Sequence, residues 1–161
     1  MTIPASIAAF WADFCAASGG DHSARFCEAY HFDDNQPSAD ELAVLVLRGI
    51  KRATAGLAWS FEEEGRALPK VGDLNVVTDW SGKPVCVIET VTVDIVPYDQ
   101  VGAEFAAIEG EGDGSLAYWQ RIHSAYFARE CARIGRQPSG TMPIVCECFH
   151  VVYRPNTPQA T

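Results

Sequence analysis

The sequence predicts an α+β fold, a small, curved, largely antiparallel β-sheet or barrel covered by helices. β-rich runs fall in two clusters, residues 74–96 and 144–153. Amphipathic helical segments lie before and between them, the pattern of a segregated rather than an alternating architecture. No Gly-x-Gly-x-x-Gly or P-loop motif accompanies a strand–helix repeat, so a doubly wound parallel sheet fits less well. A chain of 161 residues that is 48% hydrophobic and 20% charged buries about two thirds of its unfolded surface and needs no disulfide or metal to be stable. No repeat or long linker divides it, and a single domain over 1–161 is expected.

Each element has a local reason. Ile7, Phe10, Trp11 and Phe14 recur at helical spacing within 5–17, and Ser18-Gly19-Gly20 ends that helix. A loop of mixed polarity follows. Ser38-Ala39-Asp40-Glu41 has the form of a capping box ahead of the apolar stripe Leu42, Leu45, Val46, and Gly49 stops the helix. Ile50 to Gly56 then leads towards the first sheet element. Pro69-Lys70-Val71-Gly72-Asp73 is a turn signal, after which 74–80 and 85–96 form a hairpin through Ser81-Gly82-Lys83-Pro84. A short helix is expected over 99–108, then an acidic glycine loop from Glu109 to Gly114. Ser115 caps a longer helix that runs to Ile134 before Gly135. The last strand covers 144–153, and the tail Pro155–Thr161 reads as loose.

Twelve Lys and Arg against twenty-one Asp and Glu give a formal charge of -9, which opposes the counterion release that drives non-specific binding to a nucleic acid backbone. Double-stranded DNA is therefore excluded as a partner, while a small ligand or a short single strand in a local basic pocket stays open. The N-terminus has no basic region followed by an apolar stretch, so neither a signal peptide nor a membrane partner is expected and the chain is placed in the cytoplasm. Six cysteines then read as small core residues rather than disulfides. Cys146-x-Cys148 lacks histidines at zinc spacing, so no metal and no cofactor is expected.

Two features carry chemistry. In the strand from Val85 to Val93, alternation sets Glu89 in the apolar row Val85, Val87, Val91, Val93, a costly place for a carboxylate unless it is paired, neutralised or open to water at an edge. Glu147 poses the same puzzle in the row Val145, Phe149, Val151, Tyr153. The second feature is Gly49-Ile50-Lys51-Arg52-Ala53-Thr54, a lysine three residues from a hydroxyl just after a helix stop. A neutral amine beside a hydroxyl can activate it as a nucleophile. Alternatively Arg48, Lys51 and Arg52 serve the helix C-terminal dipole and Thr54 is an ordinary strand residue.

Gly49-x-Lys51-x-x-Thr54 after a capped helix, Lys70-Val71-Gly72-Asp73 before a strand, and Cys86-Val87-Ile88-Glu89 within one are together similar to the ASCH-domain family. Gly110-Glu111-Gly112-Asp113, Ser115 to Trp119 and Met142 to Glu147 resemble its longer bacterial branch. The resemblance covers about residues 30–153 and implies a PUA-like barrel with a cleft floored by the Gly-x-Lys-x-x-Thr segment. Some bacterial members hydrolyse the amide of N(4)-acylated cytidines with a lysine, a threonine and a glutamate. The resemblance carries these onto Lys51, Thr54 and Glu89. Other members act as single-strand ribonucleases, and a non-catalytic RNA or modified-base binding module is a third possibility. Arg52 stands where some short amidohydrolases have a small hydroxyl residue, and Gly56 where they have arginine.

The mechanism so implied is acyl transfer without a metal. Thr54 attacks the amide carbonyl, Lys51 takes its proton and returns one to the leaving amine, and Glu89 orients Lys51. A lysine near its ordinary value of about 10.4 is a poor base at neutral pH, so the pocket must favour the neutral amine. For the substrate, Trp59 and Tyr118 are candidates to stack a pyrimidine, and Arg48 or Arg52 to hold a ribose or phosphate. Trp119, Ile122, Tyr126 and Phe127 share a helical face and read as core. His123, one turn from Trp119, is a candidate substrate contact whose plainer reading is a half-buried core histidine. The expected partner is an acylated nucleoside, with single-stranded RNA as the alternative.

Overall fold

The computed structural model describes residues 2–155; the tail from residue 156 onward lies outside them. Five strands form one curved, mostly antiparallel sheet, β1 (Phe26–Tyr30), β2 (Ala53–Leu57), β3 (Leu74–Thr78), β4 (Pro84–Pro97) and β5 (Pro143–Tyr153), ordered β1-β3-β4-β5-β2. The described residues also form five α-helices, α1 (Ala8–Ser18), α2 (Gln36–Leu47), α3 (Ala58–Glu63), α4 (Ala103–Glu109) and α5 (Leu116–Ile134). The α+β expectation holds. The described residues divide into two compact units, one of residues 2–49, 72–89 and 150–155, the other of residues 50–71 and 90–149.

In the first unit, the predicted helical stripe buries Ile7, Trp11 and Phe14 on Phe26, Leu74, Val76 and Val87. Trp11 meets Phe14 and Phe26 edge-on, with ring centroids 5.2 and 5.1 Å away, and its indole N–H donates to Ser23 Oγ at 3.2 Å, which satisfies the one polar atom of a buried tryptophan. The hairpin of β3 and β4 is antiparallel, with Val76 opposite Val87. Strand β1, read as loop from the sequence, runs parallel to β3 with Phe26 opposite Leu74. Helix α2 begins earlier than its capping box suggested: Asn35 is the N-cap and accepts from Ser38 N, with Pro37 in the first turn, where its missing N–H costs nothing. Ser38 Oγ instead donates to Asp33 Oδ2 at 2.5 Å.

The second unit is organised by α5. Ser115 caps it by accepting from Tyr118 N at 3.1 Å, and Gly135 ends it with a left-handed φ of 74°, both as the sequence predicts. Its inner face buries Trp119, Phe127 and Cys131 against Leu57, Val101, Met142, Ile144 and Cys146. Strands β2 and β5 are antiparallel, with Thr54 opposite Glu147 and Ala55 opposite Cys146. Among the described residues none of the six cysteines forms a disulfide, and Cys86, Cys131 and Cys146 are buried.

Phe127 is fully enclosed in this core, so Phe127→Ala is expected to cost roughly 3–5 kcal/mol of unfolding free energy in a urea titration.

Candidate active site

Lys51 is among the most deeply buried large side chains of the described residues, 1% exposed. It follows the end of α2 and precedes β2, and its segment is held on both sides by backbone bonds, Arg52 N to Ile108 O at 3.0 Å and Phe149 N to Arg52 O at 2.9 Å. Its Nζ donates to the Ala53 carbonyl at 2.7 Å and to Glu111 Oε1 at 3.0 Å, and lies 3.8 Å from Glu109 Oε2. Glu109 closes α4 and is fully buried. Two glycines bring these carboxylates in. Gly110 has φ 68°, and a Cβ there would stand 2.2 Å from the Ile50 carbonyl oxygen; Gly112 has φ 58°, and its Cβ would stand 2.4 Å from the Tyr118 ring. Only a residue without a side chain permits that approach in that conformation.

His123 completes the cluster from α5. Its Nε2 is 3.0 Å from Glu109 Oε2, its Nδ1 is 2.9 Å from the Trp119 carbonyl, and its ring stacks on the Trp119 indole at 4.3 Å and 13°. Glu109 makes no straight hydrogen bond among the described residues, so it is held by the charges of Lys51 and His123. Taking these ions out of water costs several kcal/mol each, which is offset only if the charges balance. Two carboxylates against one ammonium and one imidazolium do balance.

The electrostatic consequences are directional. Burial alone would push the Glu109 carboxyl up, but the Lys51 charge and the His123 contact outweigh it and hold it below the usual carboxylate range. Glu111 goes the other way, raised by burial and by the Glu109 charge despite Lys51. Burial would discharge His123, yet the contact with Glu109 and the charges of Glu109 and Glu111 raise it above the usual imidazole value. The donor atoms of Glu109, Glu111 and His123 lie within 4.8 Å of one another, spacing that would admit a cation, and the Lys51 ammonium stands against both carboxylates.

The other sequence candidates fall as follows. Thr54 is half-buried, and its hydroxyl makes no hydrogen bond among the described residues. It shares a face of the sheet with Glu147, which is buried and accepts from Thr90 Oγ1 at 2.6 Å. Glu89 is half-buried; Arg25 binds its carboxylate and His150 Nε2 lies 3.8 Å from it. The carboxylates brought to Lys51 are Glu109 and Glu111, which the sequence reading passed over as parts of an acidic glycine loop. His123, singled out as a substrate contact, is joined to Lys51 through Glu109. Tyr118 is half-buried against Gly112 with the Arg121 guanidinium 5.2 Å above its ring, and Trp59 is half-buried beneath Arg136 at 4.7 Å. Arg48 and Arg52 are exposed.

A profile of the ASCH domain matches residues 28–153. The chain belongs to the ASCH domain family. It is similar to the crystal structure of an ASCH domain from Lactobacillus crispatus JV V101, 38% identical with a TM-score of 0.86 over 96% of this chain and 98% of that one. It is also similar to a protein from Enterococcus faecalis V583, 30% identical with a TM-score of 0.83 over 91% and 88% of the two chains. No protein with a curated description matches it. These likenesses bear out the PUA-like architecture. The family is linked to RNA-binding or amidohydrolase roles. No helix among the described residues of this ASCH domain is long and apolar enough to cross a membrane.

Gly110→Ala is expected to cost roughly 1–3 kcal/mol from its left-handed backbone alone, with the clash at Ile50 in addition, as read by urea denaturation. The charge cluster also sets a pH window. The raised His123 stabilises the fold fully below its ordinary value of about 6.5 and loses that contribution as pH rises through the folded value. The depressed Glu109 stabilises above about 4.5 and loses it as pH falls through its folded value. The stability gap between wild type and Glu109→Gln/His123→Asn, followed by urea denaturation, is therefore expected to be widest between these two values and to narrow on both sides.

Proposed function

We propose that this ASCH domain hydrolyses the exocyclic amide of N(4)-acylated cytosine nucleosides to cytidine and a carboxylic acid. The observation that carries the reading is a buried lysine amine bound to Glu111, three residues from a threonine whose hydroxyl has no protein partner among the described residues. Glu111 takes a proton from the Lys51 ammonium, and Thr54 Oγ attacks the amide carbonyl as its own proton passes to the freed amine. The tetrahedral intermediate expels the cytosine N4 amine, which takes that proton from Lys51, and an ester remains on Thr54. Water, deprotonated by Lys51, attacks the ester carbonyl, Lys51 returns that proton to Thr54 Oγ as its bond breaks, and the acid is released. Glu111 is the carboxylate that orients Lys51, and its upward shift by burial makes it a better acceptor for the lysine proton.

A nucleoside suits the chain's charge of -9 better than a long anionic strand. Tyr118, at the edge of the Gly112 loop, offers a ring for cytosine, with Trp59 as a second platform, and the exposed Arg48 and Arg52 are available for ribose or phosphate.

The test is release of cytidine from N(4)-acetylcytidine in EDTA. Wild type is expected to turn over, Thr54→Ala and Lys51→Ala to lose about 100-fold or more in kcat, and Glu111→Gln to fall with them. Glu89→Gln, whose carboxylate is bound to Arg25, is expected to keep its turnover. Loss in Glu89→Gln with retention in Glu111→Gln would return the orienting role to Glu89. No release by wild type would overturn the reading and direct the search to single-stranded RNA.

A further inference from the structure

Glu147 is a buried carboxylate that the reaction leaves unused. It lies in β5 in the same row as the buried Val145 and Phe149, where an apolar residue of similar size would serve packing as well or better. Its neighbours across the sheet are polar. Strand β5 runs between β4 and β2. From β4, Thr90, itself buried, donates its hydroxyl to Glu147 Oε1 at 2.6 Å. From β2, Thr54 stands directly opposite Glu147 in the ladder, and residues so paired project from one face with Cβ atoms about 5 Å apart. Three adjacent strands therefore set a hydroxyl, a carboxylate and a hydroxyl side by side. The hydroxyl of Thr54 makes no hydrogen bond among the described residues. Thr54 keeps contact with solvent while Thr90 is enclosed, so the row is approached from the Thr54 end.

We propose that Glu147 recognises the N–H of the scissile amide, so that the site takes acylated amines with one hydrogen on nitrogen and rejects esters and fully substituted amides. The proposal rests on the reading of Thr54 as the nucleophile. The amide nitrogen stands about 1.3 Å from the carbonyl carbon, so a substrate whose carbonyl meets Thr54 Oγ brings its N4–H to the residue beside Thr54. A carboxylate has room for about four hydrogen bonds. The bond from Thr90 does not exhaust that capacity, and it fixes the carboxylate before the ligand arrives. The contact serves bond breaking as well as binding. As N4 takes its proton from Lys51 the nitrogen gains positive character, and its hydrogen bond to a carboxylate strengthens. An ester or an N,N-disubstituted amide offers no donor and would leave the carboxylate facing only acceptors or carbon.

The test pairs N(4)-acetylcytidine with N(4)-acetyl-N(4)-methylcytidine, which differ at the hydrogen assigned to Glu147, in the full-length protein. The ratio of kcat/KM for the two nucleosides is measured in each variant, so that the intrinsic reactivity of each amide cancels. Glu147→Ala is expected to narrow the wild-type preference for the N–H substrate about tenfold or more. Where Glu147→Ala does not fold, Glu147→Gln, whose oxygen stays with Thr90 and whose NH2 meets the N4–H donor to donor, carries the same expectation. A carboxylate that only braces the sheet would slow both substrates alike, and a ratio unchanged from wild type would overturn the proposal. Binding of the two nucleosides, read by isothermal titration calorimetry, separates the proposal from the reading beneath it. In a protein without turnover, a binding preference for N(4)-acetylcytidine that Glu147→Ala removes would fell the amidohydrolase reading and leave the recognition standing. Turnover with an unchanged ratio would do the reverse. Without turnover, no binding or a preference that the variant leaves intact would fell both.

Discussion

Enclosing the amine of Lys51 is the constraint from which the site's other features follow. A buried ammonium has lost its water, and the loss is offset only by charges and dipoles brought to it by the fold. Two carboxylates within 4 Å supply the charge, and the Ala53 carbonyl supplies the dipole. Two carboxylates are one too many, and the surplus is answered by His123 from a different helix. The backbone obeys the same demand: Gly110 must lie where a Cβ would strike Ile50, because Glu109 and Glu111 cannot otherwise flank one nitrogen.

Such a cluster is a poor way to gain stability. Apolar side chains of similar volume often serve a core as well or better, whereas removal of one member of a buried ion set leaves an uncompensated charge. The Arg25 and Glu89 pair makes the contrast plain. It is half open to water, and an ion pair there is worth little and strands nothing when broken. Perturbed protonation of Glu109, Glu111 and His123 in one buried cluster is the arrangement expected of chemistry more often than of packing.

How much of this was legible in the sequence follows from how local each signal is. Ser115 and Gly135 bracket α5 by chemistry confined to single turns, and the β3–β4 hairpin is announced by alternation around a glycine turn. Strand β1 has no such local mark. Its five residues pair in parallel with a strand that begins at Leu74, and only that distant partner makes Phe26–Tyr30 extended. At α2, Asn35 and Ser38 were both competent caps, and the choice fell to Asn35 because Asp33 engages the Ser38 hydroxyl. Alternation correctly set Glu89 among valines but carried no information about Arg25, which lies 64 positions earlier. The acidic glycine loop was misjudged for a related reason. Glu-Gly-Glu-Gly reads as solvated chain, and nothing in it reveals that its backbone is pressed against Ile50. His123 looked solitary because its partner arrives from another helix.

The division of labour between elements has a mechanical sense. Thr54 stands on a regular ladder, in register with Glu147, so its position is fixed by backbone bonds on β2 and β5. Lys51 stands just outside that ladder, yet its amine turns back to the Ala53 carbonyl on the same strand, which ties the lysine to the strand that carries Thr54. The groups that set the charge around the amine come from elsewhere, from the end of α4, the glycine loop and α5. The strand that carries Thr54 is therefore fixed by its ladder, while the charge around the Lys51 amine is set by other elements. A cluster assembled from so many elements is set by the fold before any ligand arrives, and preorganisation of this kind is the larger part of what a protein contributes wherever chemistry depends on fixed charge.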